Sequence, residues 1–151
     1  MKKLAILLLL VAAASCRRQV VVASPPPSDP NAPGAATPRE AVQRFMSAAK
    51  AQDLQAMAII WGTSAGPARG TMGQQEIEQR EVIMMGCLKH DSYRTGAESP
   101  ASGGERVLAV EIKFRDLTRT TNFYATPGPS NRWYVRTFDL ESVRDICVRR
   151  A

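Results

Sequence analysis

Apolar positions recur along this chain at two different spacings, and the change falls near Asp91. In "TPREAVQRFMSAAKAQD" (37–53), Val42, Phe45, Met46 and Ala49 lie three or four apart, the spacing of one helix face. Thr37 reads as its N-cap, Pro38 as its first residue and Glu40 as the partner that completes a capping box. Asp53 reads as the N-cap of a second, shorter helix, "LQAMAIIW", with Leu54, Met57 and Trp61 on its buried side. Gly62 to Gly70 reads as a loop. "MGQQEIEQREVIMMGCLKH" (72–90) reads as a third helix, with acids near its start and Lys89 and His90 at its end, as the helix dipole favours. Ile77, Met84 and Leu88 form its inner line, and Val82 and Met85 are expected to widen it.

Beyond Asp91 the period falls to two. "SYRTGAE" is a strand and "PASGG" a turn. In "ERVLAVEIKFRD", Leu108, Val110, Ile112 and Phe114 face one way and Glu111, Lys113 and Arg115 the other, as in a half-buried antiparallel strand. "RTTNFYA", a turn at "TPGPSN" and "RWYVRTFD" follow, and "LESVRDICVRR" closes the chain. Helices first and strands later predict an α+β fold, with N-terminal helices packed on a curved antiparallel sheet of about four strands.

The N-terminus carries a separate pattern. Lys2 and Lys3 precede the apolar run Leu4 to Ala14, which is shorter than the roughly 20 residues of a spanning helix and has the layout of an export signal. Residues 1–15 are read as a removed signal peptide. The small residues Ala13, Ala14 and Ser15 ahead of Cys16 resemble the lipobox of bacterial lipoproteins, although that family prefers Leu where Ala13 stands. The resemblance implies a diacylglycerol on the Cys16 sulfur and an acyl chain on its amine. Each buried CH₂ of such chains contributes roughly 0.8 kcal/mol, so two or three chains hold firmly. It also implies export and a lipid anchor in a bacterial membrane. Arg17, in place of the aspartate of inner-membrane retention signals, favours the periplasmic face of the outer membrane where two membranes exist. Residues 16–37, with prolines at 25, 26, 27, 30 and 33, are too polar and proline-rich to offset ordering entropy and read as a spacer. Residues 38–151 then form a single domain.

Charge and chemistry narrow the functional classes. The formal net charge is +6, but two lysines leave with the signal and the remaining bases are scattered among acids. No basic stripe with interleaved aromatics marks a nucleic-acid surface, so the partners expected are the membrane and an envelope protein or small ligand, not nucleic acid. There is no HExxH, CxxC or glycine-rich phosphate loop, and the single histidine has no nucleophile motif beside it. No catalytic set, metal site or cofactor is expected. Once Cys16 is lipidated, Cys87 and Cys147 remain as an even pair, which an oxidising compartment would join. Two buried free thiols are the alternative.

Taken together, "PREAVQRFMSAAKAQDLQAMA", the third helix and the meander ending in "RWYVRTFD" with Trp133 resemble the nuclear-transport-factor-2-like superfamily over most of Pro38 to Asp139. The resemblance implies a cone-shaped α+β domain with a cystatin-like curved sheet wrapped on a long helix. The superfamily includes ketosteroid isomerases, dehydratases and polyketide cyclases, which place a His or Asp inside the cone, and also non-catalytic binding and assembly domains. Here His90 falls at a helix end among polar neighbours, where it caps carbonyls or faces water. Asp53 is accounted for by capping, Asp116 by a turn and Asp139 by a strand end. The reading is therefore a non-catalytic domain that binds a small apolar or anionic ligand or an envelope protein. Trp61, Phe123 and Trp133 are candidates to line its pocket, unless they are plain core. Arg119 and Arg136 are candidates for its mouth, unless they are solvated surface. The alternatives are an isomerase- or cyclase-like enzyme using a pocket carboxylate, and a structural or accessory assembly module of the envelope.

Overall fold

A computed structural model describes residues 32–148. The signal, Cys16, the spacer up to residue 31 and the last three residues lie outside the described residues. Among the described residues the chain forms an α+β domain in which four helices precede a four-stranded antiparallel sheet and a short one follows it.

Helix α1 (Pro38–Ala51) starts where its caps place it. The Thr37 hydroxyl accepts the Glu40 N–H at 3.1 Å. The Glu40 carboxylate reaches back to the Ala36 N–H at 3.0 Å, one residue earlier than the usual reciprocal partner. Gln52 ends the helix in the left-handed region, its N–H donating to the Ala48 and Ala49 carbonyls. Asp53 caps α2 (Leu54–Ile60) by accepting the Ala56 N–H at 3.0 Å.

The stretch expected as a plain loop carries structure. β1 (Gly62–Thr63) and β2 (Gly66–Pro67) form a minimal hairpin, followed by one turn of helix, α3 (Ala68–Thr71). The two strands approach so closely at Gly62 that a Cβ there would stand 2.3 Å from the Gly66 carbonyl oxygen. That is why glycine occupies the position.

Helix α4 (Gln74–Cys87) follows, then strands β3 (Ser92–Pro100), β4 (Arg106–Phe114), β5 (Leu117–Gly128) and β6 (Arg132–Phe138), paired in that order as a simple meander. The alternation of β4 has the predicted sense: Leu108, Val110 and Ile112 are fully buried, and Lys113 is exposed. α1 packs against β4, β5 and β6. At their junction Phe45 meets Phe123 edge-on at 6.2 Å, and Phe123 stacks on Phe138 at 5.3 Å. Such ring pairs add about 0.5–1.5 kcal/mol each beyond the burial of their area. Edge strand β3 breaks register between Thr95 and Glu98, and Arg39 from α1 donates to the Thr95 and Gly96 carbonyls there. A bulge and a charge on an edge discourage pairing with another sheet.

Folded structure begins earlier than Pro38. Ala35 exchanges two backbone hydrogen bonds with Trp133, each 2.9 Å, and the Gly34 N–H donates to Ile59. Arg44 and Arg132 both donate to the Gly34 carbonyl. Gly34 has φ +66°, and a Cβ there would lie 2.8 Å from the Tyr134 ring and from the Arg132 Cβ. Residues 32–37 read as spacer because none of this pairing has a local signal.

α4 departs from its expected face. Ile77, Glu81 and Leu88 are buried, while Val82 and Ile83 are 56% and 59% exposed. Ile77, Met84 and Leu88 set the rotation of the helix. Glu81, four residues after Ile77, therefore takes the inward place, and Val82 turns out toward solvent.

Candidate functional site

The expected pocket residues separate into core, surface and one groove. Trp61 ends α2 and bridges to Val135 on β6, and its indole N–H donates to the Arg136 carbonyl at 3.2 Å. Beside it lies a groove of about 250 Å³ walled by Trp61, Ile83, Met84, Phe138 and Leu140, with Arg80 and Arg136 among its lining. Arg136 is held by both carboxylate oxygens of Glu105, at 2.5 and 3.0 Å, and lies 5.6 Å from the Tyr124 ring centre. Arg80 pairs with Glu76 one turn earlier at 2.6 Å. The groove is thus apolar in its walls, with two cations already oriented by neighbouring carboxylates.

The other expected residues lie elsewhere. Phe123 is fully buried between Phe45 and Phe138, in the core rather than at the groove. Trp133 is half-buried on β6, where its backbone holds Ala35. Arg119 pairs with Asp145 in a separate depression shared with Glu141 and Arg144. The two arginines expected at one mouth therefore serve two different places.

A larger groove, about 500 Å³, lies where the C-terminal ends of α1 and α4 meet the β4–β5 turn. Its lining includes Lys50, Lys89 and Arg115 together with Val82, Met85 and Phe114, and contains no carboxylate. His90 also lines it and is buried, not water-facing. Its Nδ1 lies 2.8 Å from the Leu88 carbonyl, and its ring meets Tyr93 edge-on at 5.2 Å. Nε2 is buried without a hydrogen-bond partner. Burial lowers the pKa of His90 below the ordinary 6.5; the Leu88 carbonyl and Asp91 oppose this, while Lys50 reinforces it. Sequence reasoning missed this burial because Lys89 and Asp91 are polar, whereas the ring packs on residues further along each direction of the chain.

Glu81 is the second buried ionisable group that sequence reasoning missed. Its Oε1 is enclosed and unpartnered. Burial pushes its pKa up to about 7; Arg69 opposes the shift, and Glu78 and Asp53 add to it. It lines neither groove. Its signal was present in the sequence, since the positions 77, 81, 84 and 88 share one helix face.

The sulfurs of Cys87, at the end of α4, and Cys147, in α5 (Arg144–Val148), lie at disulfide-bonding distance. Among the described residues no group of three or more His, Cys, Asp or Glu side chains could hold a metal ion, and no helix is long and apolar enough to cross a membrane. Comparison with protein-family models, curated proteins and solved structures finds no match to this chain.

Proposed function

We propose that this chain is an exported protein anchored by lipid at Cys16, whose domain is a non-catalytic binding module on a cone-like scaffold of the nuclear-transport-factor-2-like kind. Its ligand is a small apolar molecule with an anionic group. The observation that carries the binding reading is the Trp61 groove, where Ile83 and Leu140 stay 59% and 46% exposed beside Arg80 and Arg136. Small-ligand sites combine such apolar walls with a few oriented polar groups. The Cys87–Cys147 pair at bonding distance supports the export reading, because disulfides persist in oxidising compartments.

Two readouts test the two halves. Intact-mass measurement of the protein from its native membrane is expected to show loss of residues 1–15 and acylation of Cys16; an unprocessed chain beginning at Met1 in the soluble fraction overturns the anchor. Titration with anilinonaphthalene sulfonate, an apolar anion, is expected to change tryptophan emission, and Leu140→Asp to abolish the change. An unaltered response in that variant overturns the groove.

A further inference from the structure

One side of α4 stays open to solvent away from the Trp61 groove. Spacings of three and four residues place Gln75, Glu78 and Val82 on it, with Met85 and Gly86 at its C-terminal end. Val82 stands 56% exposed at its middle. Ile83, about a quarter turn further round the helix, lines the Trp61 groove instead. The two halves of this side differ in charge. Toward the N-terminus Glu78 is exposed, accepts the Gln74 side-chain amide at 2.7 Å and is in no salt bridge among the described residues, whereas Glu76 is paired with Arg80. Toward the C-terminus Val82, Met85 and Gly86 line the groove of about 500 Å³ that Lys50 and Arg115 also line. Lys50 Nζ donates to the Asp91 carbonyl at 2.8 Å, and the Asp91 carboxylate accepts the Arg115 backbone N–H at 2.6 Å. A carbonyl is neutral, so Lys50 keeps its charge and two hydrogens to donate. The Arg115 guanidinium lies 5.2 Å from the Phe114 ring centre. The lining of the groove contains no carboxylate.

Gly86 is an independent sign of an approaching chain. A helix favours alanine over glycine, and nothing lies within 4 Å of a Cβ placed at Gly86. Nothing inside the domain thus requires the absence of a side chain there, whereas close passage of a second chain does. Glu78 and Gly86 each lie four residues from Val82, in opposite directions. When this side of the helix meets its own copy turned end for end, with a twofold axis at Val82, Glu78 of each copy falls on Gly86 of the other, next to Lys50 and Arg115. Acid then meets cation twice, and Val82 meets its own copy. A parallel pair would set Glu78 against Glu78, and like charges in contact are costly.

We propose that this side of α4 is an interface for a second copy of the chain. The two helices pack antiparallel about a twofold axis at Val82, and the Glu78 carboxylate of each copy passes over Gly86 of its partner to Lys50 and Arg115. Such an interface is isologous and closes at two copies. It is one helix wide on each side, which puts it among the small, weak interfaces. Ile83 and Leu140 stay outside it, so the Trp61 groove remains open in the pair. The inference rests on neither the ligand nor the anchor. An anchor that confines both copies to one membrane raises their effective concentration.

Sedimentation velocity tests this on residues 16–151 carrying Cys16→Ser, which keep every described residue. Over concentrations from about 10 µM to about 1 mM a monomer–dimer equilibrium is expected. Val82→Asp, an exposed change that sets two carboxylates on the axis, is expected to weaken it at least about tenfold and to leave the thermal midpoint of the dilute protein unchanged. Gly86→Leu is expected to weaken it by a similar factor, because the added side chain fills the path of the partner's Glu78. Glu78→Lys and Lys50→Glu are each expected to weaken association about tenfold, and the two together in one chain to restore it. Mild oxidation is expected to cross-link Val82→Cys to its copy at least about tenfold faster than Ile83→Cys, since only the first lies on the axis. Leu140→Asp is expected to leave association intact and to lose the anilinonaphthalene sulfonate response, so failure of the interface and failure of the Trp61 groove are separable. A chain that stays monomeric throughout assigns this side of α4 to another occupant and overturns the proposal. So does a dimer that Val82→Asp leaves intact, or one that the charge exchange does not restore.

Discussion

α1 and α4 are both 14 residues long, yet they relate to the domain in opposite ways. α1 turns every large apolar side chain inward: Val42, Phe45 and Met46 are fully buried against the sheet, and both of its ends are capped. α4 buries a carboxylate, exposes Val82 and Ile83, begins at Gly73 with no side-chain cap, and ends at a cysteine whose sulfur lies at disulfide-bonding distance from that of Cys147. α1 is held by burial, as most amphipathic helices are. α4 ends at a cysteine within disulfide-bonding distance of the C-terminal helix, and it leaves apolar side chains on its outer face. Val82 lines one groove and Ile83 the other. The helix less committed to the core is the one that shapes both candidate sites.

The sharpest break in this comparison comes from truncating one apolar residue on each helix. Phe45→Ala is expected to cost about 3–5 kcal/mol in urea denaturation, as for buried aromatic residues in general. Ile83→Ala is expected to stay within about 0.5 kcal/mol, as for a surface position. Equal losses would mean that α4 is a core helix after all.

Removing one cysteine of the pair tests α4 directly. Cys147→Ser opens a loop whose ends are 60 residues apart in sequence. The chain-entropy account places the loss near 4 kcal/mol. Reductant is expected to lower the thermal midpoint of the unaltered protein and to leave that of Cys147→Ser unchanged.

Glu81 gives a smaller effect with a definite sign. Its pKa is about 7 in the folded chain against an ordinary 4.5, so the fold favours the protonated form. The stabilisation is fully present below pH 4.5 and is lost as pH rises to 7, because the unfolded chain releases its proton first. The loss from this one group is of order 3 kcal/mol. Denaturation of Glu81→Gln, measured beside the unaltered protein from pH 4.5 to 8, is expected to lack this component of the slope.

The caps come last. Thr37→Ala removes the acceptor of the Glu40 N–H and is expected to cost about 1 kcal/mol. Gly73→Ser supplies α4 with the cap it lacks. Nothing lies within 4 Å of a Cβ placed there, so a gain of a few tenths of a kcal/mol is expected. Thermal midpoints of the two variants check both.

The sequence was most legible where one residue and its near neighbours settle the outcome. Thr37 and Asp53 cap the helices they precede, because a cap is chosen within three residues. Leu108, Val110 and Ile112 face the core because strand alternation leaves only two choices and one face is apolar. The grooves were far less legible. Trp61 and Arg136 share one, but Ile83, Phe138 and Leu140 join them from other segments. Phe123 and Arg119 were grouped with them by residue type alone, and the fold sends one to the core and the other to Asp145.

Local order, then, belongs to the sequence alone: where helices begin, which way β4 alternates, and the change of period near Asp91 that makes this an α+β chain. Tertiary packing decided what stands beside what. It put Ala35 on the edge of β6, turned Glu81 inward and Val82 outward, buried His90 between α1 and the sheet end, and gathered Lys50, Lys89 and Arg115 around it. Backbone preference acts over a few residues, whereas burial and the meeting of charges depend on segments that only the folded chain brings together.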